Sequence, residues 1–165
     1  MEVNLHIYSG IGNLIAIVDG IRNDLHISSK EVDHVYNFHG VNFDQLIILL
    51  PPSDPQNDLD VKIFNNDGSI ASNCINGARC VGRFIKDNSL LASNKFKVKT
   101  DGGLWELDNV ENNIFSAAFE VKAEIITKKV EAKGIELSLD CINLGNLHGV
   151  TFENKQIDMR FLDIG

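Results

Sequence analysis

Cys74 stands where turn chemistry hands over to a helix pattern. Asn65-Asn66-Asp67-Gly68 and Ser72-Asn73 precede it, and Ala78, Val81 and Ile85 follow at helical spacing. A thiol at a helix N-terminus feels the macrodipole and free backbone N–H groups, which favour thiolate and lower its pKa. The same N–H groups suit a substrate carboxylate, and Gly77 and Ala78 let a ligand approach the backbone closely. The plainer role of a free cysteine is that of a small buried hydrophobe. Asn13, Asn65, Asn76 and Asn146 lie beside glycine or turn residues. Their carboxamides can bind the amino and carboxylate groups of a zwitterion without adding charge, although Asn also serves turns for its own sake. His148 follows Gly145-Asn146 in an expected loop, where it is placed as an acid, a base or a hydrogen-bond donor.

Other chemistries fit less well. The five histidines (6, 26, 34, 39 and 148) form no ligand cluster. His34 and His39 would lie about 140° apart on a helix, the wrong faces for one ion. Gly10-Ile11-Gly12 lacks a third glycine and runs into a strand pattern rather than a helix, so a dinucleotide loop is rejected. Cys74, Cys80 and Cys141 are an odd count without a CxxC pair, which fits neither a disulfide framework nor a zinc knuckle. On a helix over 76–86, Cys74 and Cys80 would be about 240° apart, so they should not bridge.

The elements that must carry these residues read as follows. Val3, Leu5 and Ile7 alternate with polar residues, and Leu14 to Val18 is a second apolar run across the turn-rich Ser9 to Asn13. Ser28-Ser29-Lys30-Glu31 is a capping-box pattern, with Val32, Val35 and Tyr36 at helical spacing and His39-Gly40 as the stop. Gln45 to Leu50 reads as a strand stopped by Pro51-Pro52, and Leu59 to Ile63 alternates before the Asn65 turn. Lys95, Lys97 and Lys99 form one solvated strand face, and Asp101-Gly102-Gly103 turns into Leu104 to Val110. Ile114 to Phe119, Val121 to Ile126, Ile135 to Asn143 and Val150 to Phe152 are further strand candidates, with a loop over Leu144 to Gly149. Many strands around a central helix make the class α+β.

The chain has 165 residues and 15 Lys+Arg against 23 Asp+Glu, a net charge of −8 that opposes nucleic-acid binding. Its aliphatic runs are far shorter than the ~20 residues that span a bilayer. No export signal is visible at MEVNLHIYSG, so a cytoplasmic protein without a membrane partner is expected.

Taken together, these blocks resemble the diaminopimelate epimerase family of cofactor-independent amino-acid racemases. The matching segments are Gly10-Ile11-Gly12-Asn13, Gly40-Val41-Asn42-Phe43-Asp44-Gln45 with Pro51-Pro52, and Ile63-Phe64-Asn65-Asn66-Asp67-Gly68-Ser69. Cys74-Ile75-Asn76-Gly77-Ala78-Arg79-Cys80 and Leu144-Gly145-Asn146-Leu147-His148 complete the set. The resemblance implies two pseudo-symmetric lobes, each a mixed sheet around a central helix, here 1–118 and the opening strands of an incomplete second lobe over 119–165. It implies epimerisation of LL- to meso-diaminopimelate without any cofactor or metal, in lysine and peptidoglycan-precursor synthesis. One cysteine from each lobe would act on opposite faces of the substrate α-carbon. Cys74 maps onto the first of them and His148 onto a histidine near the reacting centre. Asn13, Gln45, Asn65, Ile75, Asn76 and Asn146 map onto substrate-binding positions.

The departures are specific. Ile75 replaces the glycine usual after the cysteine, where a β-branched side chain would crowd the carboxylate. Asn42, Leu147 and Leu14-Ile15 also depart from the pattern. The family's second-lobe cysteine block is absent, and Cys141, in a strand pattern upstream of the Gly-Asn-x-His segment, does not replace it. Two faces need two bases. A truncated epimerase, an inactive binding or oligomerising homologue, a related amino-acid racemase, and half of a split enzyme are therefore all consistent with the residues. Uncovered strand edges after residue 120 predict a homodimer or completion by another chain.

Overall fold

The computed structural model describes residues 4–22, 25, 27–111, 114–120, 124–132, 135–143 and 147–152. The chain divides into two compact units, Met1–Glu120 and Val121–Gly165.

The first unit begins with a hairpin, β1 (His6–Gly10) and β2 (Asn13–Asp19), then helix α1 (Ser29–His39). Strands β3 (Gln45–Leu50), β4 (Leu59–Asn65) and the short β5 (Ile70–Ala71) lead to helix α2 (Ile75–Asp87). Strands β6 (Lys95–Thr100), β7 (Gly103–Glu111) and β8 (Ile114–Phe119) complete it. They form one sheet in the order β1-β2-β3-β4-β6-β7-β8, with β5 beside β4. The sheet is mixed: β2 runs parallel to β3 and β4 to β6, while the other pairs are antiparallel. α2 touches β1 and β2 near one end of this order and β7 and β8 at the other, so the sheet curls around it.

The middle strands explain the run of uninterrupted apolar residues at Leu46 to Leu49. Both faces of the sheet are covered there. Ile15, Ile17, Ile47, Leu49, Val61 and Ile63 face inward onto Ala78, Val81, Phe84 and Ile85 of α2. Their neighbours Ala16, Val18, Leu46, Ile48 and Phe64 face outward into a second core with Val32 of α1 and Phe43. The outer strands cover one face only. Phe96 and Val98 of β6 are buried, while Lys95, Lys97 and Lys99 are exposed, as their alternation predicts.

α1 starts on the expected capping box. The Ser28 backbone N–H donates to the Glu31 carboxylate at 2.7 Å, and Gly40 closes the helix in the left-handed region at φ 61°. α2 runs one residue further at each end than the expected 76–86.

The second unit contains an antiparallel sheet in the order β11-β10-β9, built from β9 (Ile126–Ala132), β10 (Ile135–Asn143) and β11 (Leu147–Val150). Two expectations change here. The strand expected over Val121 to Ile126 begins only at Ile126, since Glu124 and Ile125 carry no strand pairing and residues 121–123 lie outside the described residues. The loop expected over Leu144 to Gly149 is in part strand: His148 pairs with Ile142 and Gly149 with Cys141. Among the described residues, no helix is long and apolar enough to cross a membrane.

Candidate active site

Cys74 is the N-cap of α2, with extended backbone at φ −154°. Its Sγ accepts the Gly77 backbone N–H at 3.2 Å, while its carbonyl accepts that of Ala78 at 2.9 Å. The cap is gripped from behind. Gly102, in the β6–β7 turn, donates to the Ser72 carbonyl at 2.8 Å. The fully buried Trp105 of β7 donates its indole N–H to Asn73 Oδ1 at 2.7 Å, and Asn73 is only 7% exposed. The two residues before the thiol are thus fixed by a hairpin some thirty positions downstream.

The expected lowering of the Cys74 pKa is overturned. Burial raises it and outweighs three opposing causes, the N–H groups of Gly77 and Asn76 and the positive charge of Arg79. Half-buried in an apolar surround, the sulfur loses more solvation as thiolate than the helix terminus returns. Cys80, 5% exposed on the same helix, is raised to about 11, by burial first and the Cys74 charge second. All three cysteines are free thiols.

Four predicted carboxamides converge on one end of the sheet. Asn13 opens β2, Gln45 opens β3 and Asn65 closes β4, with Gln45 directly opposite Asn65 in the ladder. Gln45 Nε2 donates to Asn65 Oδ1 at 3.0 Å, and Asn65 Nδ2 donates to Ser69 Oγ at 2.9 Å. In the first turn of α2, Asn76 Nδ2 donates to Asn13 Oδ1 at 2.8 Å, bridging helix and strand. The ends of β2, β3 and β4 are stapled by Asp44. Its carboxylate accepts the Leu14 N–H at 2.8 Å, its own N–H donates to the Leu14 carbonyl, and its carbonyl accepts the Asn66 N–H at 3.2 Å.

Two glycines allow helix and sheet to approach this closely. A Cβ on Gly10 would lie 2.9 Å from the Asn76 carbonyl oxygen and 3.0 Å from Cys80 Sγ. One on Gly77 would lie 2.5 Å from Ile47 Cδ1 and 3.1 Å from Cys74 Sγ. Ile75 is the first helical residue and packs against the inner core. Its β-branch is therefore taken up by apolar neighbours in this fold.

The structure brings Cys74, Ile75, Asn76, Asn13, Gln45 and Asn65 together at one end of the first unit. His148 lies exposed on β11 of the second unit, and Asn146 lies outside the described residues. Asp44, Asn73, Arg79 and Trp105 were not singled out by sequence. A polar residue directly before the thiol and the single tryptophan of the chain were the available signals for one pair of these.

A helix capped by cysteine, enclosed by a curled mixed sheet with carboxamides at the cap, defines an α+β domain presenting a thiol and amides on one rim. The chain belongs to the diaminopimelate epimerase family, whose model matches residues 5–120. The diaminopimelate epimerase of Stutzerimonas stutzeri (strain A1501) is 34% identical over 154 residues, covering 86% of this chain and 56% of that protein. That of Ectopseudomonas mendocina (strain ymp) is 34% identical over 155 residues with the same coverage. The chain therefore spans just over half the length of the curated relatives it matches. The fold recurs in a hydroxyproline epimerase from Agrobacterium vitis, with TM-score 0.62 and 12% identity over 99% of this chain and 53% of that one.

Proposed function

We propose that the chain carries one half-site of a diaminopimelate epimerase, with Cys74 as the acid–base group on one face of the substrate α-carbon. The observation that carries this reading is Cys74 Sγ at the α2 N-terminus, with the Asn13–Asn76 and Gln45–Asn65 pairs on the same rim. Helix N–H groups and carboxamides can hold an α-carboxylate and an α-ammonium while the thiol faces the carbon between them. Breaking the α-C–H bond leaves its electron pair on carbon, stabilised by the adjacent carboxylate in the field of those N–H donors. The proton passes to one sulfur as thiolate, and an opposing thiol protonates the other face, inverting the centre. Burial raises the Cys74 pKa, which favours its neutral thiol, the form that donates a proton to the α-carbon.

The opposing acid–base group belongs, in this proposal, to a second lobe or to another chain. In the same proposal His148 and Asn146 keep the substrate-side roles that the family resemblance gives them, and 119–165 begins the second lobe. Exposed Ile126 on β9, which among the described residues pairs only with β10, favours completion by a second copy or a partner chain. The second reading, an inactive binding homologue, keeps the carboxamide rim for a ligand without the proton transfer.

The test is α-proton exchange in D2O with LL- and meso-diaminopimelate, followed by mass spectrometry. Deuterium incorporation that disappears in Cys74→Ala supports the half-site. Absence of exchange, with the chain alone and with added full-length epimerase, together with intact ligand binding, establishes the binding homologue instead.

A further inference from the structure

Arg79 is half-buried on α2, three residues after Asn76, and its Nη2 donates to Asn76 Oδ1 at 2.5 Å. Among the described residues it has no carboxylate partner, unlike Arg83, which pairs with Asp87 at 2.8 Å one turn further on. A guanidinium can only donate, so the carboxamide that meets it must present oxygen. That contact sets a direction for the next one. With Oδ1 turned to Arg79, Asn76 offers Nδ2 to Asn13, and Asn13 answers with Oδ1. The Asn13 Nδ2 donors then remain for a ligand. Turned the other way, the same relay would end on an acceptor oxygen, which would repel a carboxylate.

We propose that Arg79 is a positioning residue of this site: it fixes which way the Asn76 and Asn13 carboxamides face and supplies a permanent positive charge to the Cys74 rim. The inference deepens the half-site reading above and rests on it for the use made of the thiol. The charges that bear on Cys74 are few. α2 itself contributes Arg79 and Cys80. β1 and β2 bring the uncharged Gly10 and Asn13, and the β6–β7 hairpin acts through the uncharged Asn73 and Trp105. Among the described residues Arg79 is the cation that, after the Gly77 and Asn76 N–H groups, opposes the effect of burial on the sulfur. Lysine carries the same charge and is likewise donor-only, so it should preserve both roles where its ammonium reaches the Asn76 oxygen.

The test needs no substrate. The rate of Cys74 alkylation by iodoacetamide is followed from pH 6 to 11 by mass spectrometry of the Cys74 peptide, with the Asn side-chain amides recorded by NMR. Removing this cation takes away one of the causes that lower the thiol midpoint. In Arg79→Met the midpoint should therefore rise and alkylation below it should slow, and the Asn76 amide should lose its protection from solvent exchange. Arg79→Lys should keep both the wild-type midpoint and the amide protection. A profile and amide spectrum in Arg79→Met that superimpose on wild type overturn the proposal, as does a midpoint raised equally in both variants. If Arg79→Met does not fold, Arg79→Gln carries the same expectation for the thiol midpoint. Because alkylation reads the thiol alone, failure here leaves the exchange assay of the proposed function to stand or fall by itself.

Discussion

The grip on Ser72 and Asn73 makes a measurable claim about the buried pair Asn73–Trp105. Replacing Trp105 by Phe removes the indole N–H and leaves Asn73 Oδ1 without its donor, in a side chain only 7% exposed. A stranded buried acceptor costs about 1–3 kcal/mol, and the smaller ring adds a cavity term. Asn73→Leu strands the indole N–H of a fully buried Trp105 at a similar cost. In the double variant neither group is stranded, so both penalties vanish while the cavity term remains. The double variant should then be less destabilised than the sum of the singles by about 2–6 kcal/mol, the two stranding penalties together. Urea unfolding gives this number, followed by far-UV circular dichroism because the chain has a single tryptophan and Trp105→Phe removes it. Additivity to within about 0.5 kcal/mol would refute the buried hydrogen bond and with it the account of how the cap is held.

Two further outcomes follow from the same packing. Gly10→Ala would push a methyl to 2.9 Å from the Asn76 carbonyl, a backbone atom that cannot swing aside. A loss of about 1–3 kcal/mol in unfolding free energy is expected, with slower Cys74 alkylation; a variant as stable and reactive as wild type would contradict the close approach. Cys80 links stability to pH. Its folded pKa of about 11 lies above the ordinary thiol value of 9.0, so its contribution is complete below pH 9 and is lost as pH rises through 11. Two units correspond to about 2–3 kcal/mol. The urea midpoint should fall as pH rises from 9.0 to about 11, and the slope should flatten in Cys80→Ala. Tyr8, raised to about 12 by burial and Asp87, and Cys74, raised by burial, add losses of the same sign at alkaline pH, and Tyr8→Phe removes the first of them.

Much of the first unit was legible because its signals are local. The capping box at Ser28, the alternation at Lys95 to Thr100 and the small residues after Cys74 each specify their element within a few positions. The carboxamides were found as residues next to turns, but their pairing was not, since Asn13 meets Asn76 across 63 positions of chain. The same limit hid Asn73 and Trp105, 32 positions apart. The direction of the Cys74 shift was misread for a different reason. A helix N-terminus is visible in sequence, whereas the burial that outweighs it depends on how tightly the sheet closes over α2. His148 was read as a loop residue because Gly145-Asn146 looked like a turn, but β10 supplies a ladder partner that extends pairing through His148.

The contacts at Gly10 and Gly77 also divide the rim into positions that can vary and positions that cannot. A combinatorial library at residues 10 and 77 would yield few folded clones, because any side chain there meets Asn76, Cys80, Ile47 or Cys74 itself. Position 75 is different. Its side chain already rests on apolar neighbours, so aliphatic and small residues should be interchangeable there without moving the thiol. Anyone seeking to retune this scaffold for a new ligand has a free dial at 75, set between glycines that must be left alone.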